Sequence, residues 1–197
     1  VKSASETVFI CITDGDSLSH TPSEGFGGGT KPLFAEVHLT AWCYDNSGYQ
    51  DMQFLKWEII NKNTQLWDST ILSVVCDPDM GDADDDYVGC DTSRNLGYCY
   101  NADNQDGDGS ARTYGANPPA VGIVYLNCAN SDSKLSSINY FSGSGYPGPI
   151  CEKDPSSSAQ SYNFMKGLKS DGTPWIDALT NQITKFCYPG DPETNSG

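Results

Sequence analysis

Positive charge is scarce in this chain: 11 Lys and Arg stand against 26 Asp and Glu, a net charge of −15. So acidic a surface argues against nucleic acid or an anionic membrane as partner. Histidine is scarcer still, with only His20 and His38. Two isolated histidines cannot form the H-E-x-x-H of a zinc protease, and neither G-x-S-x-G nor a phosphate loop is present. No apolar run approaches the length of a membrane span. The Ala, Leu, Glu and Lys typical of helical proteins give way to Gly, Ser, Thr, Asn and aromatics. That mix excludes a helical bundle and predicts a mainly β chain with long loops.

Cysteine, by contrast, is plentiful. Cys11, Cys43, Cys76, Cys90, Cys99, Cys128, Cys151 and Cys187 are even in number and widely spaced, with no C-x-x-C. Zinc ribbons and redox motifs are thereby disfavoured, and disulfides in an oxidising compartment are expected. Eight cysteines allow 105 pairings. The one local pair suggested by spacing is Cys90 with Cys99.

The dominant stretch is CDPDMGDADDDYVGCDTSRNLGYCYN, residues 76–101. It holds Asp77, Asp79, Asp82, Asp84, Asp85, Asp86 and Asp91, seven of the twenty Asp, with only Arg94 to compensate. Two like charges about 4 Å apart repel by ~1 kcal/mol even in water. A hard cation turns that repulsion into coordination, and calcium accepts six to eight oxygens from short carboxylates and loop carbonyls. Calcium is therefore the expected cofactor, with these seven Asp as candidate ligands; the bland reading is a solvated acidic loop. A second acidic piece carries Asp106 and Asp108. It resembles half an EF-hand loop without the terminal Glu, and reads equally as a source of further ligands or an exposed tip.

Strands are predicted at Thr7–Thr13, Leu33–Cys43, Met52–Asn61, Trp67–Cys76, Ile123–Cys128 and Ile183–Tyr188. In the second, Ala35, Val37, Leu39, Ala41 and Cys43 share one face, opposite Glu36, His38, Thr40 and Trp42. One short helix is predicted near 158–168, behind a run of Ser caps. Residues 14–32 are a Gly-rich loop or arm with too little apolar content to fold on itself. The whole reads as a single antiparallel β-sandwich, jelly-roll-like, over 1–197. Val1 at the start and the turn-forming GDPETNSG at 190–197 suggest a piece of a longer secreted polypeptide.

The blocks DPDMGDADDDYVGCD, NLGYCYN, YGANPPAVGI, SYNFMKGLKSDGTPW and YPGDPETNSG together resemble a domain recurring in large secreted proteins of Bacteroidetes and related bacteria. Many of those proteins use type IX secretion. The resemblance is strong over 52–126 and moderate over 156–197. It implies an extracellular or cell-surface multidomain protein and carries no catalytic residue with it. The expected role is thus a non-enzymatic, calcium-stabilised structural or adhesive domain, with homo-assembly through the arm or contact with other surface proteins. Two alternatives stand beside it. Trp42, Trp57, Trp67 and Trp175 could stack on sugars in a carbohydrate-binding module. A glycan hydrolase needs only two suitably spaced carboxylates.

Overall fold

The computed structural model describes residues 3–107, 112–127 and 134–190. Cys128, Asp108 and the 191–197 tail lie outside the described residues. The chain is mainly β, with antiparallel sheets, one α-helix and no closed barrel among the described residues. Read above as one domain, it divides here into two compact units, Val1–Thr70 and Ile71–Gly197.

The first unit is a three-stranded antiparallel sheet of β1 (Glu6–Thr13), β2 (Ala35–Cys43) and β3 (Gln53–Asn61), in that spatial order. Strict alternation splits it into two faces. Val8, Ala41 and Leu55 stand in one cross-strand row, followed by Ile10, Leu39 and Trp57, then Ile12, Val37 and Ile59. The other face carries Phe9, Thr40 and Lys56, then Cys11, His38 and Glu58, then Thr13, Glu36 and Ile60. The loop between β1 and β2 is tied to itself, contrary to the expectation of an arm unable to fold. The Asp14 carboxylate accepts the Leu33 and Ala35 N–H groups, each at 2.6 Å. His20 Nε2 bonds the Asp14 carbonyl at 2.8 Å, and Pro22–Glu24 forms a 3-10 turn. Polar bonds replace the missing apolar contacts.

The predicted strand Trp67–Cys76 does not form. Asn61 and Asn63 close successive turns, accepting the N–H groups of Asn63 and Gln65 at 2.8 and 3.1 Å. The chain leaves the sheet there, and Leu72, Val74 and Val75 stay exposed. β-branched composition marks residues that fit a pleated surface; without a partner strand it does not make one.

In the second unit β4 (Asp86–Asp91), β5 (Leu96–Asn101) and β8 (Ala120–Val124) form an antiparallel sheet. Short pairs join β6 (Gln105–Asp106) to β7 (Gly115–Ala116), and β9 (Trp175–Ile176) to β10 (Ile183–Thr184). Gly89 must be glycine, because the Tyr98 ring lies where a Cβ would project. The predicted strands Ile123–Cys128 and Ile183–Tyr188 shrink to β8 and β10. Helix α1 (Ser158–Met165) starts where the Ser caps indicated: the Ser157 side chain accepts the Gln160 N–H. It ends at Gly167, whose φ of +77° suits glycine. Phe164 on α1 packs with Trp175 and Cys187, flanked by Tyr140 and Phe141.

Candidate metal centre

The acidic stretch lies in the second unit and leads from an irregular segment into β4. Asp82 caps a 3-10 turn at Ala83–Asp85 by accepting the Asp84 N–H at 3.2 Å. Asp86 then opens β4 opposite Asn101, the last residue of β5. The Ala102 N–H reaches back to the Asp85 carbonyl at 2.8 Å. Asp85, Asp86 and Asn101 are thus neighbours in the fold.

Each of the three has a buried side-chain oxygen, Oδ1, with no hydrogen-bond partner. Asn101 itself is only 6% exposed, and its amide group donates to the Asp103 and Gln105 carbonyls. Buried oxygens without donors are rare, and an ion is one of the few explanations for them. Asp86 shows the strain of the arrangement. Burial pushes its carboxyl above the usual range, the Met80 N–H offsets part of this, and the charges of Asp85, Asp106 and Asp79 add to the rise.

Asp106 is fully buried beneath the same loop. Its carboxylate accepts the Asp82 N–H at 2.8 Å and also the Tyr114 N–H. Gly81, at φ +98°, passes so close that a Cβ there would run into that carboxylate. The second acidic piece therefore braces the first through backbone N–H groups, a role the sequence did not suggest; buried Asp106 is no exposed tip. Above the loop, the charge of Asp84, then those of Asp79 and Asp82, raises the Tyr146 phenol.

Among the seven Asp expected as ligands, the structure separates several roles. Asp85 and Asp86 supply buried oxygens, and Asp82 is a cap. Asp79 lines a shallow hollow with Gly81, Arg112, Thr113 and Tyr114. Asp77 and Asp84 are exposed. Asp91 belongs to its own turn, accepting Ser93 Oγ at 2.6 Å and Arg94 at 2.5 Å, so its carboxyl is held below the usual range. Asp91 stands at the opposite end of β4 from Asp86. Asn101 is not among the residues the sequence singled out, since only the β4–β5 register brings it beside Asp86. Among the described residues, no three carboxylates of this stretch bring oxygens within 4.8 Å of one another. The donors present suit a hard cation, since all are oxygens, two of them carboxylate.

The seven described cysteines are unbridged here. Cys90 and Cys99 are not cross-strand partners: Cys90 faces Gly97 and Cys99 faces Val88, which sets them diagonally apart. Cys90 instead meets Cys187, its Sγ 3.2 Å from the Cys187 carbonyl oxygen. Cys99 has Cys76 as a neighbouring thiol. Burial pushes all three buried thiols up, Cys90 and Cys99 to about 11 and Cys187 to about 12.

Comparison with protein-family models, with curated proteins and with solved structures finds no match to this chain.

Proposed function

We propose that this chain is a non-enzymatic, calcium-stabilised structural or adhesive domain of an extracellular or cell-surface assembly. The observation that carries the reading is the trio of buried, donorless oxygens on Asp85, Asp86 and Asn101. A calcium ion bound to them would relieve the desolvation of Asp86 and fix the turn before β4 to the end of β5. Water would complete the shell, because among the described residues no three carboxylates of this stretch bring their oxygens within 4.8 Å of one another. A clamp of this kind, with cross-linked cysteines, suits a domain exposed to proteases outside a cell. The apolar face of the first unit, with Val8, Ile10, Ile12, Leu55 and Trp57 exposed, supports contact with another copy or another surface protein.

The test is a melting curve in excess chelator and after calcium is restored. An ion at 100 times its Kd stabilises by about 2.7 kcal/mol, so the midpoint should fall by several degrees and recover. Asp86→Asn should abolish the calcium response. An unchanged curve in chelator, with no metal by elemental analysis, defeats the reading.

A carbohydrate-binding role is favoured by one observation. Trp42, Tyr44, Asn46, Tyr49 and Phe54 line a hollow at the end of the β2–β3 hairpin. Trp42 stacks on Phe54 at 5.6 Å, and Tyr49 is half exposed. The tryptophans do not form a row, however: Trp175 is in the core, and Trp57 is on the opposite face of the sheet from Trp42. Glycan-array binding lost in Tyr49→Ala would move this reading to first place.

A further inference from the structure

We infer that the first unit carries a second, chemically different metal site, for a zinc-class divalent ion, built from Cys11, His38 and Glu36. Cys11 on β1 is the direct cross-strand partner of His38 on β2, and Glu36 follows two residues along on the same face. One donor atom from each lies within 4.8 Å of the others. His38 Nε2 and Glu36 Oε1 are 3.2 Å apart. Two ligands on a tetrahedral zinc ion, each about 2.0–2.2 Å from the metal, stand about 3.4 Å apart, so the pair already has the needed separation.

The donor chemistry differs from that of the acidic loop. Thiolate, imidazole and carboxylate together select zinc and its neighbours over calcium, which prefers oxygen alone. Strand backbones hold the three residues, so little ordering remains for binding to supply. The contacts around them are compatible. The Phe9 ring meets His38 edge-on at 5.7 Å, and Lys62 Nζ stands 3.7 Å from the second Glu36 oxygen. Glu58, opposite His38 on β3, is engaged by Lys56 at 3.2 Å. Cys11 is exposed, so the fourth position faces solvent and a water can fill it. Binding releases the thiol proton to solvent and leaves the imidazole neutral.

Cys11 also has no disulfide partner within its unit. Cys43, the other cysteine there, pairs with Glu6 at the far end of the ladder and points to the opposite face. A metal ion gives an exposed thiol that would otherwise oxidise a defined state.

The site is independent of the calcium reading, and cobalt(II) titration of the intact, metal-free chain tests it. One equivalent should bind with the visible bands of tetrahedral cobalt and a thiolate-to-cobalt charge-transfer band. Zinc should displace it and calcium should not. Cys11→Ser should remove the charge-transfer band, while His38→Gln and Glu36→Gln should each weaken binding at least tenfold with the circular dichroism unchanged. Asp86→Asn should leave the cobalt spectrum intact. The inference is overturned if Cys11→Ser keeps the charge-transfer band, which assigns it to another cysteine. It is equally overturned if Cys11 proves to be disulfide-bonded in protein isolated without reductant.

Discussion

The two units differ in what holds them. Val1–Thr70 has long strands of eight and nine residues in unbroken register, yet its apolar face is open: Ile10 is 46% exposed and Trp57 47%. Ile71–Gly197 has strands of six residues or fewer, yet all six buried hydrophobic residues among those described belong to it. Three of those six are cysteines, and Asn101, Asp106, Lys153 and Ser170 are buried with them. Backbone ladders organise the first unit. The second depends on a small aromatic core, on thiols and on buried polar groups, most of them hydrogen-bonded. Lys153 shows the style, with its ammonium donating to Ser142 Oγ and the Tyr146 and Pro147 carbonyls at 2.6–3.0 Å. A ladder tolerates surface change, whereas a small core made of few groups does not.

The largest effect should therefore come from that core. Trp175→Ala removes a ring packed 5.3 Å from Tyr140 and lying under the Lys169 ammonium. The expected cost is about 3–5 kcal/mol. Trp175→Phe should cost far less, because the indole Nε1 has no acceptor and its loss relieves a buried, unsatisfied donor. Hydrogen exchange checks this: in Trp175→Ala, β4 and β5 should lose protection while β1–β3 keep theirs. Equal loss in both would break the comparison.

The thiols come next. In protein isolated without reductant, Cys90 should be bridged to Cys187 and Cys76 to Cys99, read by peptide mapping of the unreduced chain. Reducing each bridge should cost about 2–4 kcal/mol. The reduced protein should then show a pH signature. Its folded state holds the protons of Cys90, Cys99 and Cys187 more tightly than an unfolded chain with thiols near 9.0. The stability tied to those protons is complete below that value and is lost as the pH rises through about 11 to 12. The oxidised protein has no such protons and should lack that alkaline loss. Matching alkaline curves for the two forms would count against both pairings.

How much of this could be read in the sequence follows the same division. The alternation of β2 and β3 was legible residue by residue, because one apolar face and one polar face leave a period-2 record. The N-terminus of α1 was legible from its Ser caps. The acidic loop was legible as a charge anomaly, but its inner oxygens were not. Asn101 reaches it through the β4–β5 register and Asp106 from β6, 24 residues along from Asp82, and local pattern records neither. Cys11 and His38 are likewise separated by a long loop and become neighbours only in the β1–β2 ladder. Trp67–Cys76 has strand composition without a strand to pair with, so its pattern misled.

The smallest effect should come from the open face. Ile10 lies on the edge strand β1 opposite Leu39, with nearly half its surface exposed. Thr is as well suited to a pleated strand as Ile, so Ile10→Thr keeps the backbone preference and removes only partly buried apolar surface. The expected change in stability is within about 1 kcal/mol. What should change is association, since a contiguous apolar patch on a soluble protein marks a surface for binding. Ile10→Thr should lower light scattering at high concentration and reduce binding of a hydrophobic dye, and Trp57→Ser should do so more strongly. A loss of several kcal/mol in Ile10→Thr would mean that this face is covered in the folded protein. The first unit would then rest on a hydrophobic core like the second, and the contrast between them would fail.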